Sequence, residues 1–158
     1  MKVSILFTAC RLLSLFLLSA CEKDNYSVNS STNYRSIAYQ DALQAGIPAQ
    51  YFVNQIQVES DFNPNAVSSA GAVGIAQFLP STAQGLGIDP YNPIDALRGA
   101  ANLMARYQAQ YGDYKHALAA YNCGTSCLKS AMQNCNDYYW CLPSETERYI
   151  DIIMGGTA

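Results

Sequence analysis

The sequence predicts an all-α fold, a single domain of short helices, and three observations carry that expectation. Apolar residues recur at three- and four-residue spacing in successive segments from Tyr34 onward. Asn, Asp, Pro and Gly stand where those segments open and close. No segment sustains the apolar–polar alternation of a half-buried strand, and no internal repeat is present.

The N-terminus reads as a targeting segment rather than as part of the fold. Lys2 and Arg11 flank and interrupt an otherwise uncharged run, Val3–Ala20, rich in Leu, Ile and Phe. It ends in Leu18-Ser19-Ala20-Cys21, followed at once by Glu22-Lys23-Asp24-Asn25. A short positive region, an apolar region and small residues before a cleavage point describe a secretory signal over 1–20. The small residues before Cys21 resemble the lipobox of bacterial lipoproteins, which implies that Cys21 is the lipidated first residue of an exported, membrane-anchored chain. A plain signal and an uncleaved anchor are the competing readings. Residues 21–33 are rich in Ser and Asn and poor in apolar residues, as a tether to a domain over 34–158 is.

The length of 158 residues suits that one domain plus its leader, and a hydrophobic share of 50% is enough for a core. The formal charge of −3, with a pI near 4.9, lacks the basic face a nucleic-acid binder needs.

The helices follow in order. Ile37, Ala38, Ala42 and Ala45 form one stripe, closed by Gly46. Pro48 suits the first position of a second helix. Its face carries Phe52, Ile56 and Glu59 at i, i+4 and i+7, and Phe62-Asn63-Pro64 ends it, since the residue before proline avoids the α region. Ser68–Gly74 is too small to form a core and suits a loop that a ligand or another backbone approaches closely. Pro80–Gln84 opens a short helix stopped by Gly85 and Gly87. Asn92-Pro93 opens the longest helix, which presents Leu97, Ala101, Met104, Tyr107 and Tyr111 and stops at Gly112. Asp113 caps a helix with Ala117, Leu118 and Tyr121 inward, ending near Asn122 with Gly124 as its stop. Ser144 and Glu147 form a possible capping box before a final helix, Glu145–Met154.

Between these last helices lie Cys123, Cys127, Cys135 and Cys141. In an exported domain four cysteines read as two disulfides, with three pairings open. A four-Cys zinc site is the competing reading, but the first and last spacings are not CxxC. Trp140 reads as a residue packed on the disulfides, with a sugar-stacking platform as the alternative. His116, the sole histidine, reads as a surface residue beside Lys115.

Glu59 is the residue with chemical content. A surface helix normally turns carboxylates away from its apolar face, and this one sets a carboxylate on it. Desolvation there raises the pKa and keeps the group partly protonated, as a general acid requires. The competing reading is a glutamate at a frayed helix end, reaching back to water. Likewise Gln77 suits a hydrogen bond to a sugar or to a backbone carbonyl.

Three blocks in order, Glu59–Ala83 (ESDFNPNAVSSAGAVGIAQFLPSTA), Ala117–Gly124 (ALAAYNCG) and Leu142–Ile150 (LPSETERYI), resemble the soluble-lytic-transglycosylase-like catalytic domain, a relative of goose-type lysozyme. The resemblance spans about Tyr34–Ile153 and implies a lysozyme-like fold with a substrate groove. It implies Glu59 as the single acid and base, Ser68 near the substrate's N-acetyl group, and Gln77 and Leu79 along the groove. Tyr121 matches a tyrosine at the catalytic centre, Asn122 its neighbour, and Glu145 a late glutamate bordering the cleft and bracing the site. The chain departs from the family at Cys123 and in the cysteine-bearing stretch to Leu142. The implied substrate is the glycan strand of peptidoglycan, cleaved between N-acetylmuramic acid and N-acetylglucosamine with a 1,6-anhydro product, a chemistry that calls for no metal or organic cofactor. A hydrolysing muramidase, with Asp61 or Asp89 holding a water, is the nearest alternative. A glycan-binding subunit of an envelope assembly without turnover is another, and a disulfide-rich interaction domain unrelated to glycans a third.

Overall fold

The computed structural model describes residues 33–155. The signal segment, the lipidation candidate Cys21 and all of the tether but Asn33 lie outside the described residues. Asn33 belongs to the fold: its side chain accepts a hydrogen bond from the Ser36 amide at 3.1 Å and caps the first helix.

The described chain is mostly helical, as expected. It runs α1 (Tyr34–Ala45), α2 (Ala49–Ser60), α3 (Pro80–Leu86), α4 (Pro93–Tyr111), α5 (Tyr114–Asn122), α6 (Thr125–Asn134), a 3₁₀ turn (Tyr138–Cys141) and α7 (Ser144–Met154). Five helices close a ring of contacts: α4 packs on α1 and α5, α2 on α1 and α7, and α7 on α5. Inside it Phe52, Ile56, Leu97, Met104, Leu118, Ile150 and Ile153 lose essentially all exposure, each contributing about 1.5–3 kcal/mol by leaving water. Extended backbone appears only as isolated bridges, Val67 with Val73 and Val73 with Phe78. No helix among the described residues is long and apolar enough to cross a membrane.

Several ends differ from the sequence expectation. Pro48 precedes α2 in extended backbone, and its carbonyl accepts the first helical bond from the Phe52 amide at 3.1 Å. The far end of α2 comes at Ser60, two residues before the expected stop. Asp61 and Phe62 turn left-handed there, with φ of 53° and 58°. The Asp61 amide bonds to the Gln57 carbonyl at 2.9 Å, and the Arg35 guanidinium sits 4.7 Å from the centre of the Phe62 ring. Gly85 lies within α3, and Gly87 ends it.

The Ser144 capping box does not form. Pro143 occupies the cap position, and its carbonyl takes the Thr146 and Glu147 amides at 2.8 and 3.1 Å. Cys123 rather than Gly124 closes α5, and Gly124, at φ +87°, turns the chain into α6. The cysteines pair as neighbours, Cys123 with Cys127 and Cys135 with Cys141.

Trp140 is not a core residue; it is 73% exposed. Tyr139 takes the inward place, its hydroxyl donating to Asp151 Oδ1 at 2.7 Å, and successive residues of a 3₁₀ turn point about 120° apart. His116 is half-buried, with its ring stacked on Tyr138 at 4.0 Å and Nδ1 2.7 Å from an Asp113 carboxylate oxygen.

Candidate active site

The heptad spacing on α2 does what it predicts. Phe52 and Ile56 are wholly buried, and Glu59 follows on the same face one residue before the helix ends. Burial pushes the Glu59 carboxyl up to about 7, partly offset by the Tyr149 hydroxyl, which donates to Oε1 at 2.5 Å. The last turn of a helix is also its negative end, which works in the same direction as burial.

The chain after α2 builds the facing wall, and hydroxyl groups hold it. The Ser60 hydroxyl donates to the Ile75 carbonyl at 2.7 Å, and the Tyr121 hydroxyl to the next carbonyl, Ala76, at 2.6 Å. Two consecutive carbonyls are thus tied to α2 and to α5. Gly74 makes the approach possible. Its φ is +76°, and a Cβ there would stand 2.1 Å from the Pro90 carbonyl oxygen. Gln77, itself left-handed at φ 50°, uses its amide nitrogen on the Gly74 carbonyl at 2.8 Å and the Ala66 carbonyl at 3.3 Å. The backbone-carbonyl reading of Gln77 therefore holds for its nitrogen, and Oε1 remains an acceptor.

Between these walls runs a groove of about 420 Å³. Glu59, Ser68, Gln77, Leu79, Tyr121 and Asn122 all line it. Leu103 and Tyr107 of α4 form part of its floor, and Cys123 and Gly124 bring the first disulfide to its edge. Ser68 Oγ accepts from the Ala72 amide at 3.0 Å, which leaves its O–H to donate. Asn122 Oδ1 accepts from the buried Thr146 hydroxyl at 2.7 Å, which leaves its NH₂ to donate. The lining thus offers the Ser68 and Asn122 donors, the Gln77 acceptor, the hydroxyls of Thr82 and Tyr107, and one carboxyl group. Glu59 is the only carboxylate among the lining residues. Asp61 is exposed and engaged by the Gln57 amide, and Asp89 is exposed beside the Tyr91 amide.

Glu145 is the residue that the structure keeps apart. It is exposed in the first turn of α7, where a negative charge suits the helix N-terminus, and it does not line the groove. The bracing comes instead from Thr146 and Tyr149, which hold Asn122 and Glu59. Burial and the nearby Glu59 carboxylate hold the Tyr149 phenol well above its ordinary pKa, so it stays a donor. Sequence reasoning missed both, although a signal existed. Thr146, Tyr149, Ile150 and Ile153 follow i, i+3, i+4, i+7, so two hydroxyls stand on the inner stripe of α7.

Comparison with known proteins gives a family, several relatives and a likeness of fold. The family model described as "Transglycosylase SLT domain" matches residues 36–138. A transglycosylase of Enterobacteria phage PRD1 is 40% identical over 86 residues, 54% of this chain and 32% of that protein. Membrane-bound lytic murein transglycosylase D of Escherichia coli K12 is 34% identical over 108 residues, 59% of this chain and 24% of that protein. The chain therefore spans about a third or less of these relatives' lengths. Among solved structures, an inactive Glu-to-Gln mutant of lytic transglycosylase Slt from Pseudomonas aeruginosa superposes with a TM-score of 0.67 at 19% identity. It covers 86% of this chain and 25% of its own, a likeness of fold.

Proposed function

The chain belongs to the transglycosylase SLT domain family, and on that premise we propose that it is a peptidoglycan lytic transglycosylase with Glu59 as its acid and base. The observation that carries the proposal is the lone, half-buried Glu59 carboxyl in the groove, with a pKa near neutrality. Cleavage of a glycoside normally takes two carboxylates, and one suffices when the substrate supplies its own nucleophile.

In this reading protonated Glu59 gives its proton to the oxygen linking N-acetylmuramic acid to N-acetylglucosamine, and that C–O bond breaks. The muramic N-acetyl group stabilises the positive charge left on its sugar. Ionised Glu59 then takes the proton of the muramic C6 hydroxyl as O6 bonds to C1. The 1,6-anhydro ring closes, Glu59 is protonated again and no water is consumed. The free donors of Ser68 and Asn122 and the Gln77 acceptor suit acetamido and hydroxyl groups of the glycan. A groove without a second carboxylate favours this over a hydrolysing muramidase, and a pKa poised for proton transfer favours it over a glycan-binding subunit. In lytic transglycosylase Slt, which shares the fold, a Glu-to-Gln mutant is inactive, in keeping with an essential glutamate.

The proposal includes export: a signal over 1–20, a lipid on Cys21, a tether over 21–33 and the catalytic domain over 34–158, held at a membrane facing the wall. Digestion of purified sacculi with mass analysis tests the reaction. Products one water lighter than reducing-end muropeptides are expected, and reducing-end products alone would favour the muramidase.

A further inference from the structure

Two polar side chains are fully buried among the described residues, Gln55 and Thr146. Thr146 is accounted for by its bond to Asn122. Gln55 is accounted for by half. Its Oε1 accepts from the Tyr114 hydroxyl at 3.0 Å, while its Nε2 has no acceptor among the described residues. A glutamine with no exposure and an unused amide donor is costly at a position where leucine would fit the stripe of Phe52, Val53 and Ile56.

Its position relative to Glu59 gives that cost a purpose. The two residues are i and i+4 on α2, which sets their Cβ atoms about 5–6 Å apart on one face. The terminal torsion of glutamine is broad, so the amide can turn without moving the helix. Its anchor Tyr114 lies near Tyr121 and Tyr149, the two phenols whose pKa Glu59 helps hold up. The titratable groups facing Glu59 are Tyr149 from α7 and Tyr121 from α5, with Tyr114 of α5 and Tyr107 of α4 behind Tyr121. None of these is a cation.

We propose that Gln55 is a positioning residue for Glu59, turning its spare amide onto the carboxylate whenever that carboxylate is ionised. The protonated acid accepts from Tyr149 and keeps its own O–H for the substrate. Once the proton has gone to the leaving group, the carboxylate gains acceptor capacity at a half-buried position. The Gln55 N–H₂ then supplies a second donor, which keeps the ion in place for the return proton transfer. This rests on the reading of Glu59 as acid and base, and concerns its ionised half-cycle.

The test is a pH titration of the full chain with ¹³C-labelled Glu and ¹⁵N-labelled Gln. In the wild type the Gln55 amide resonances are expected to move with the same midpoint as the Glu59 carboxyl. In Gln55→Met that midpoint, and the alkaline limb of the activity profile, are expected to shift upward by about one pH unit, with kcat falling and KM unchanged. Gln55→Asn, which withdraws the amide by one methylene, is expected to shift it in the same direction. Amide resonances flat across the Glu59 titration would overturn the proposal, as would a folded variant with an unmoved midpoint. Glu59→Gln assayed alongside keeps the two readings apart, since turnover retained there removes Glu59 itself from the chemistry.

Discussion

Tyr149 donates a 2.5 Å hydrogen bond to Glu59 across a separation of 90 residues, and this bond joins the last helix to the end of the second. It lowers the carboxyl pKa against the stronger upward push of burial. Removing it with Tyr149→Phe is therefore expected to raise the Glu59 midpoint above about 7. Hydrogen bonds to charged groups contribute about 1.5–3 kcal/mol, so the rise is expected to be about 1–2 pH units. A ¹³C titration of the carboxyl group measures it; an unmoved midpoint would show that the phenol does not hold the ionised form.

Glu59→Gln separates stability from activity. The folded carboxyl titrates near 7 and the unfolded one near 4.5, so the native state binds more protons between those values. Wild-type stability is therefore full below pH 4.5 and falls as pH rises through 7, by about 3 kcal/mol. Glutamine can still accept from Tyr149 and has no charge to desolvate. The variant is expected to lose turnover, to match the wild type at pH 4 and to exceed its stability at pH 8. Urea denaturation at the two values checks this, and parallel curves would contradict the buried-acid account.

Gly74→Ala is expected to destabilise by about 2–3 kcal/mol, because the added methyl meets the Pro90 carbonyl and the φ of +76° suits only glycine well. The damage extends to the groove, since Ile75 and Ala76 are the carbonyls tied to Ser60 and Tyr121. Thermal unfolding and sacculus digestion should fall together. A variant with native melting and native activity would mean that the loop can shift freely.

Thr146→Val removes a hydroxyl and leaves the shape. It is expected to cost about 1–2 kcal/mol and to free Asn122 to rotate within the groove. Because Asn122 then loses its fixed orientation, KM should rise more than kcat falls. Equal changes in the two would place Asn122 outside substrate binding.

The helices were legible where their ends are written in side chains. Asn92-Pro93 opens α4, Asp113 caps α5, and Gly46 and Gly112 close α1 and α4. The α2 exit was not legible, since Asp61 and Phe62 take left-handed backbone without being glycine. Tertiary contacts, among them Arg35 on Phe62, hold them there. Six residues named from the sequence line one groove because helix periodicity and the small-residue loop each have a local signature. Thr146, Tyr149 and Gln55 escaped because their roles exist only between helices. A hydroxyl on a helix stripe acquires a partner when another helix docks against it. Trp140 shows the same limit from the other side: the 3₁₀ turn chose Tyr139 for the interior, and nothing local distinguishes the two rings.

The docking of α7 against α2 and α5 has a consequence for timing. The acid and the phenol that steadies it stand 90 residues apart, on helices that meet only once α7 has docked. An unfinished or still-extended polypeptide holds an ordinary surface glutamate, strongly ionised at neutral pH and unable to lend a proton. The buried, poised acid thus arrives with the docking of α7.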